Sequence, residues 1–158
     1  MARRKNSGSR KRGAPRVLVL SGPNLDRLGR REPEIYGTTT LAELHARLER
    51  LASELGCEVD CRQSNHEGAL ADWIGEAADG DYAGILINAG ALTHTSLVLY
   101  DALRAAGLPA IEVHLSNPDA REAFRKASTI APAVVARVAG FGPNSYELAL
   151  RGLMERIG

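Results

Sequence analysis

An open, mostly parallel α/β sheet of five strands with helices on both faces is the fold class that this 158-residue chain predicts. Three observations predict it. Five short aliphatic or β-branched runs alternate with segments of helical periodicity, in the order β-α-β-α-β-α-β-α-β-α. Several runs are continuously apolar, as strands covered on both sides are. The segments after the first, third and fourth runs are polar, and in open α/β sheets ligands sit beyond the carboxyl ends of the strands.

The strands are expected at residues 16–21 (RVLVLS), 57–62 (CEVDCR), 83–87 (AGILI), 110–114 (AIEVH) and 134–139 (VVARVA). The first helix opens with Thr40-x-x-Glu43, which has the form of a capping box. Leu41, Leu44, Leu48, Leu51 and Leu55 follow at spacings of three and four, and Gly56 suits a left-handed end. A second helix is expected at 67–78, with Ser64 or Asn65 as cap, and a third at 95–106. Asn117-Pro118 places a cap before a helix-starting proline and predicts a fourth helix over 119–127. The last helix is expected at 145–157, capped by Asn144.

Composition bounds the function. Apolar residues make up 44% and charged residues 25%, the balance of a soluble globular domain. No stretch reaches the roughly 18–20 apolar residues needed to span a bilayer. Seven of the first 16 residues are basic, leaving 13 basic against 19 acidic residues, a net of −6, for the remainder. Residues 1–15 are thus expected to be a disordered basic arm, and 16–158 a single domain. The arm lacks the apolar region of a secretory signal, so a cytoplasmic location is expected. A basic arm alone is weak support for nucleic-acid binding, and none is expected. Cys57 and Cys61 are spaced C-x3-C without further cysteines, and with His66 they form a poor tetrahedral set; no metal is expected.

Neither G-x-G-x-x-G nor G-x-x-x-x-G-K-[ST] occurs, so nucleotide-phosphate readings lose their usual support. The segment after the first strand, 22–37, is instead long and charged, carrying Asp26, Arg27, Arg30, Arg31, Glu32 and Glu34 before Tyr36; its composition suits a lid. Lysine is confined to Lys5, Lys11 and Lys126. No strand end supplies the desolvated lysine that imine-forming catalysis needs. His45 reads as a surface residue, His66 as a turn or subunit-contact residue, and Trp73 as packing.

Six motifs then fall on these strand ends in order. They are G-P-N-L at 22–25, L-G-R-R-E-P-E-I-Y-G at 28–37, R-Q-S-N-H-E-G at 62–68 and I-N-A-G-A-L-T-H-T-S at 87–96. I-E-V-H-L-S-N at 111–117, followed by R-E-x-F-R at 121–125, and G-F-G-P-N-S-Y-E-L-A-L at 140–150 complete the set. Together they resemble the type II 3-dehydroquinate dehydratases, over everything except the arm. The resemblance implies a flavodoxin-like fold, a dodecamer built from trimers, and no cofactor. It implies dehydration of 3-dehydroquinate to 3-dehydroshikimate, in aromatic amino-acid biosynthesis or quinate breakdown. Position by position, it implies Tyr36 as base with Arg31 nearby, Asn24 holding a water for the enolate, and His114 as acid oriented by Glu112. It implies substrate contacts from Asn88, His94, Leu115, Ser116, Arg121 and Arg125, and from Asp101 of a neighbouring subunit.

Elementary chemistry agrees with these roles. A free phenol is only about 0.1% ionised at pH 7, so a tyrosine base needs a cation beside it, and Arg31 is the expected source. Hydroxide leaves poorly unless protonated, and imidazole is the natural donor near neutral pH. Glu112 and His114, two apart, share one face of their strand. Arg121 and Arg125, four apart, are expected to share one helix face, and guanidinium suits carboxylate binding. Asp26-Arg27, Ala131 and Arg137 depart from the pattern of the resemblance, all outside the implied catalytic positions. A flavin- or anion-binding module and a catalytically silent scaffold remain as other readings; the joint presence of Tyr36, Arg31, Asn24 and His114 speaks against silence.

Overall fold

In a computed structural model, which describes residues 13–158, the chain forms one five-stranded sheet. The strands are β1 (Arg16–Ser21), β2 (Glu58–Gln63), β3 (Gly84–Asn88), β4 (Ala110–His114) and β5 (Ala136–Ala139). All four pairings are parallel, in the order β2-β1-β3-β4-β5. The basic arm lies outside the described residues up to residue 12. Among the described residues no helix is long and apolar enough to cross a membrane.

The continuous apolar runs have a direct cause. Side chains alternate across a strand, so Val17 and Val19 of β1 enter one core while Leu18 and Leu20 enter another. The first core is roofed by α2 (Leu41–Leu55) and α5 (Asn144–Ile157), through Leu44, Leu48, Tyr146 and Leu150. The second is roofed by α3 (Glu67–Asp79) and α4 (Leu97–Ala106), through Leu70, Ile74, Leu99 and Leu103. Both faces of the central strands are dry. Completely burying one such leucine or isoleucine contributes about 1.5–3 kcal/mol, which fixes which helix covers which face.

The capping box forms as the spacing predicts. Thr40 Oγ1 accepts from Glu43 N and Glu43 Oε2 accepts from Thr40 N, each at 3.2 Å, and Gly56 ends α2 at φ 76°. Other helix starts differ from expectation. Ser96, not Thr95, opens α4, its Oγ accepting from Leu99 N at 2.9 Å; residues Gly90–His94 before it form a separate 3-10 turn. Neither Ser64 nor Asn65 caps α3, since His66 occupies that position without a side-chain cap bond. Asn144 is already helical, and its Oδ1 accepts from Arg47 at 2.6 Å.

The largest departure is the expected helix over 119–127. It is replaced by two 3-10 turns, Pro118–Ala120 and Ala123–Arg125, with extended backbone at Arg121 between them. Only Pro118 of these turn residues is buried, and Phe124 is exposed. Without an apolar face to pack, so short a segment gains too little to nucleate a helix. The segment 22–37 differs the other way: it contains a 3-10 turn at Leu25–Arg27 and a single helical turn, α1 (Pro33–Tyr36). β5 also starts two residues later than expected, after a 3-10 turn at Ala131–Ala133.

Candidate active site

The carboxyl ends of β1, β3 and β4 open into one pocket of about 730 Å³, counting its open mouth. Its floor is set by a close approach. Gly22 N donates to Asn88 O at 2.8 Å, and a Cβ on Gly22 would lie 2.6 Å from Ala89 O, so only glycine lets the two strand ends meet. Asn24 follows in left-handed backbone at φ 68°. Its N–H donates to Asn65 Oδ1 at 2.9 Å, and Gln63 Nε2 donates to that oxygen and to Gly22 O, each at 3.1 Å. The end of β2 therefore holds the start of the charged segment.

Ten of the twelve candidate residues line this pocket: Asn24, Arg31, Tyr36, Asn88, His94, His114, Leu115, Ser116, Arg121 and Arg125. No acidic side chain lines it, and three guanidiniums do. Such a lining selects an anion.

Tyr36 sits at the end of α1 between two of those cations. Arg121 Nη1 donates to the Tyr36 hydroxyl oxygen at 2.7 Å, with its guanidinium carbon 5.2 Å from the ring centroid. Arg31 lies 5.7 Å from the centroid, and its Nε is 3.5 Å from Glu32 Oε2. The cation touching the phenol oxygen is thus Arg121, whereas the sequence suggested Arg31. The broken helix makes this contact possible, because Arg121 lies in the extended link between the turns. Arg125, one turn on, donates to Glu122 at 2.8 Å and reaches the pocket independently.

His114 and Glu112 end β4. Glu112 is fully buried behind the pocket wall, and its Oε2 accepts from His114 Nε2 at 2.8 Å. Ser128 Oγ donates to Oε1 at 2.5 Å and Arg137 Nε to Oε2 at 2.8 Å. Burial alone would raise the carboxyl's pKa; the hydrogen bonds from His114 and Ser128, with the charges of His114 and Arg137, outweigh it and hold Glu112 below the usual carboxylate range. An ionised carboxylate only accepts, so Nε2 carries hydrogen and Nδ1 is left for a ligand. His94 is oriented by Nδ1 donating to Ala127 O at 2.7 Å.

Asn88 is held from behind. Its Oδ1 accepts from Gly90 N at 3.1 Å, and its side chain bonds the fully buried Tyr146 hydroxyl, which also meets Ser21 Oγ at 2.9 Å. Burial pushes the Tyr146 hydroxyl up to about 12, so this network stays neutral. Asp101 does not line its own chain's pocket; it is exposed on α4.

The profile of the Dehydroquinase class II family matches residues 15–154. The chain belongs to this family. It is 54% identical over 137 residues to the 3-dehydroquinate dehydratase of Rhizobium johnstonii, covering 87% of this chain and 94% of that one. The 3-dehydroquinate dehydratase of Thermus thermophilus is also 54% identical, over 89% of this chain and 95% of its own. The crystal structure of the type II dehydroquinase from Propionibacterium acnes superposes with a TM-score of 0.87 at 46% identity, covering 90% of this chain and 97% of that one.

Several residues that shape this dehydroquinase pocket escape a reading of the sequence. Ser128, Arg137, Asn65, Gln63 and Tyr146 act through neighbours distant along the chain, and no local spacing announces those contacts; the sequence offered Asn65 as a helix cap and Arg137 as a departure from the resemblance, with Gln63, Asn65 and Tyr146 inside its motifs. His45, expected at the surface, is half-buried, and its Nε2 has no hydrogen-bond partner. Cys57 and Cys61 are free thiols; burial raises both, Cys61 to about 12 with help from Glu49 and Asp60, which makes neither a nucleophile. Among the described residues no group of three or more His, Cys, Asp or Glu could hold a metal ion.

Proposed function

We propose that the chain dehydrates 3-dehydroquinate to 3-dehydroshikimate through an enolate, as an enzyme of the shikimate pathway. The observation that carries the mechanism is Tyr36, its hydroxyl oxygen 2.7 Å from Arg121 Nη1, in one pocket with the His114–Glu112 pair. A cation at that distance stabilises negative charge on the phenol oxygen, the form that can remove a proton beside the ketone. Arg31 adds a second positive charge when the segment closes over substrate. The electron pair released moves onto the ketone oxygen, where a water held by Asn24 stabilises the enolate; losing one such donor typically costs about 3–4 kcal/mol. Collapse of the enolate expels the hydroxyl, and His114 protonates it so that it leaves as water.

Arg125, with Asn88, His94, Leu115 and Ser116, holds the substrate's carboxylate and hydroxyls; the absence of acidic lining supports an anionic substrate. Arg121 is assigned both to substrate and to Tyr36. No cofactor enters this route. Asp101 is assigned to the pocket of a neighbouring subunit in a dodecamer of trimers, and its exposure beside Leu97 and Val98 on α4 supports an intersubunit position. A cytoplasmic location goes with this role.

Tyr36→Phe is the direct test. Turnover, followed by the absorbance of the conjugated product, falls by 10³-fold or more on the order expected for a lost base and its activation, while substrate binding by calorimetry persists. Retained turnover would remove Tyr36 from the mechanism. Borohydride with substrate leaves the enzyme active, and a covalent adduct on Lys126 would replace the enolate route by an imine.

A further inference from the structure

We propose that Arg137 is a positioning residue for the acid, fixing Glu112 against His114 and sharing the carboxylate's charge with the imidazole. This rests on His114 being the proton donor. The parallel register of β4 and β5 pairs Glu112 directly with Arg137, and the guanidinium reaches across the strands. Arg137 Nε and His114 Nε2 each lie 2.8 Å from the same oxygen, Glu112 Oε2, while Ser128 Oγ fills Oε1. The Arg137 side chain is 43% exposed, yet it ends on a carboxylate that is 0% exposed. It stays outside the pocket lining and reaches the pocket only through Glu112 and His114.

The chemistry of this shared oxygen has a direction. A buried carboxylate facing an imidazole alone places its full negative charge on the imidazolium, which then holds its proton tightly and donates poorly. A guanidinium on the same oxygen offsets that charge and keeps the carboxylate from rotating away. Other charged or titratable groups face His114 as well. Tyr36, Arg31, His94, Arg121 and Arg125 line the pocket side; Glu112, and through it Arg137, face the ring from the sheet. Of these, Arg137 can be changed without altering the pocket lining.

The test compares Arg137→Gln, which keeps an N–H donor and removes the charge, with Arg137→Lys, which keeps the charge. Kinetics with 3-dehydroquinate are measured across pH, with folding checked by circular dichroism. Removing a nearby positive charge favours the protonated imidazole, so the alkaline limb of kcat/KM moves to higher pH by about 0.5–1 unit in the Gln variant, a shift kept modest by the exposure of Arg137. At neutral pH kcat falls by about 3- to 10-fold, since a weaker acid donates more slowly. KM stays within about twofold of the parent, because the pocket lining is intact. The Lys variant returns the limb to within about 0.2 unit of the parent.

An unmoved limb in Arg137→Gln, or a shift that Lys does not reverse, overturns the proposal. If the Gln variant does not fold, Arg137→Met takes its place in the same measurement. His114→Ala is run alongside. Retained turnover there sinks the assignment of His114 itself, whereas lost turnover with an unmoved limb in the Gln variant sinks Arg137 alone.

Discussion

Two carboxylates near opposite sides of the same sheet are each held by arginine and a hydroxyl, yet their remaining partners differ. Asp60 on edge strand β2 receives bonds from Arg16 at 3.2 Å, Arg62 at 2.9 Å and the Tyr82 hydroxyl at 2.5 Å. Glu112 on β4 receives Arg137, Ser128 and His114. Each is penalised by burial and rescued by its partners, so each sits below the usual carboxylate range. The difference lies in the partners. Among those of Asp60, its hydrogen bond raises the Arg62 guanidinium, and burial and the carboxylate push the Tyr82 hydroxyl up. Glu112 spends one bond on an imidazole that opens onto a pocket, and imidazole is the side chain that exchanges protons near neutral pH. A saturated carboxylate holds a strand edge; one that ends on a titratable ring facing a pocket is placed for the proposed proton transfer.

Substitutions can break that contrast, and the largest effect belongs to Glu112. Glu112→Gln leaves the imidazole without its anionic partner, and kcat falls on the order of 10²-fold or more. Asp60→Asn leaves kcat intact and lowers unfolding free energy by about 2 kcal/mol in urea denaturation. If both substitutions cost activity alike, the contrast collapses. The same Asn variant sharpens it through pH. A carboxylate whose pKa is depressed by folding adds stability above its unfolded value near 4 and loses it as pH falls through the folded one. The parent therefore loses stability below about pH 4 through Asp60, and Asp60→Asn removes that part of the slope; an unchanged acid limb in denaturation would count against the Asp60 network. Ser128→Ala strips one donor from Glu112, and kcat drops several-fold with about 1 kcal/mol of stability. Tyr82→Phe is the smallest change, about 1 kcal/mol or less with activity untouched.

Strands and helix faces were largely legible in the chain, because they follow from periodicity over neighbouring residues. β1 and β4 fall at the expected bounds, and Thr40 with Glu43 closes α2 as its spacing dictates. The cap of α3 and the starts of α4 and α5 were misplaced by a residue or two, and the largest error fell where no apolar face existed to enforce a local preference. Asn117-Pro118 starts a turn as expected, but the exposed Phe124 cannot hold a helix together, and the segment breaks at Arg121.

The pocket shows the same division. Glu112 and His114 could be read as one unit because two residues on a strand share a face. Which arginine meets Tyr36 could not, since Arg121 and Tyr36 are 85 positions apart and their contact depends on how two loops converge. Local order thus established the strands, the capping box of α2 and the residue types at the strand ends. Strand register and loop convergence assigned the partners, placing Arg137 opposite Glu112 and Asn65 beneath Asn24. The physical reason is range: steric and periodic preferences act within a few residues, whereas charges and hydrogen bonds act between whatever atoms the packed chain brings within about 3 Å.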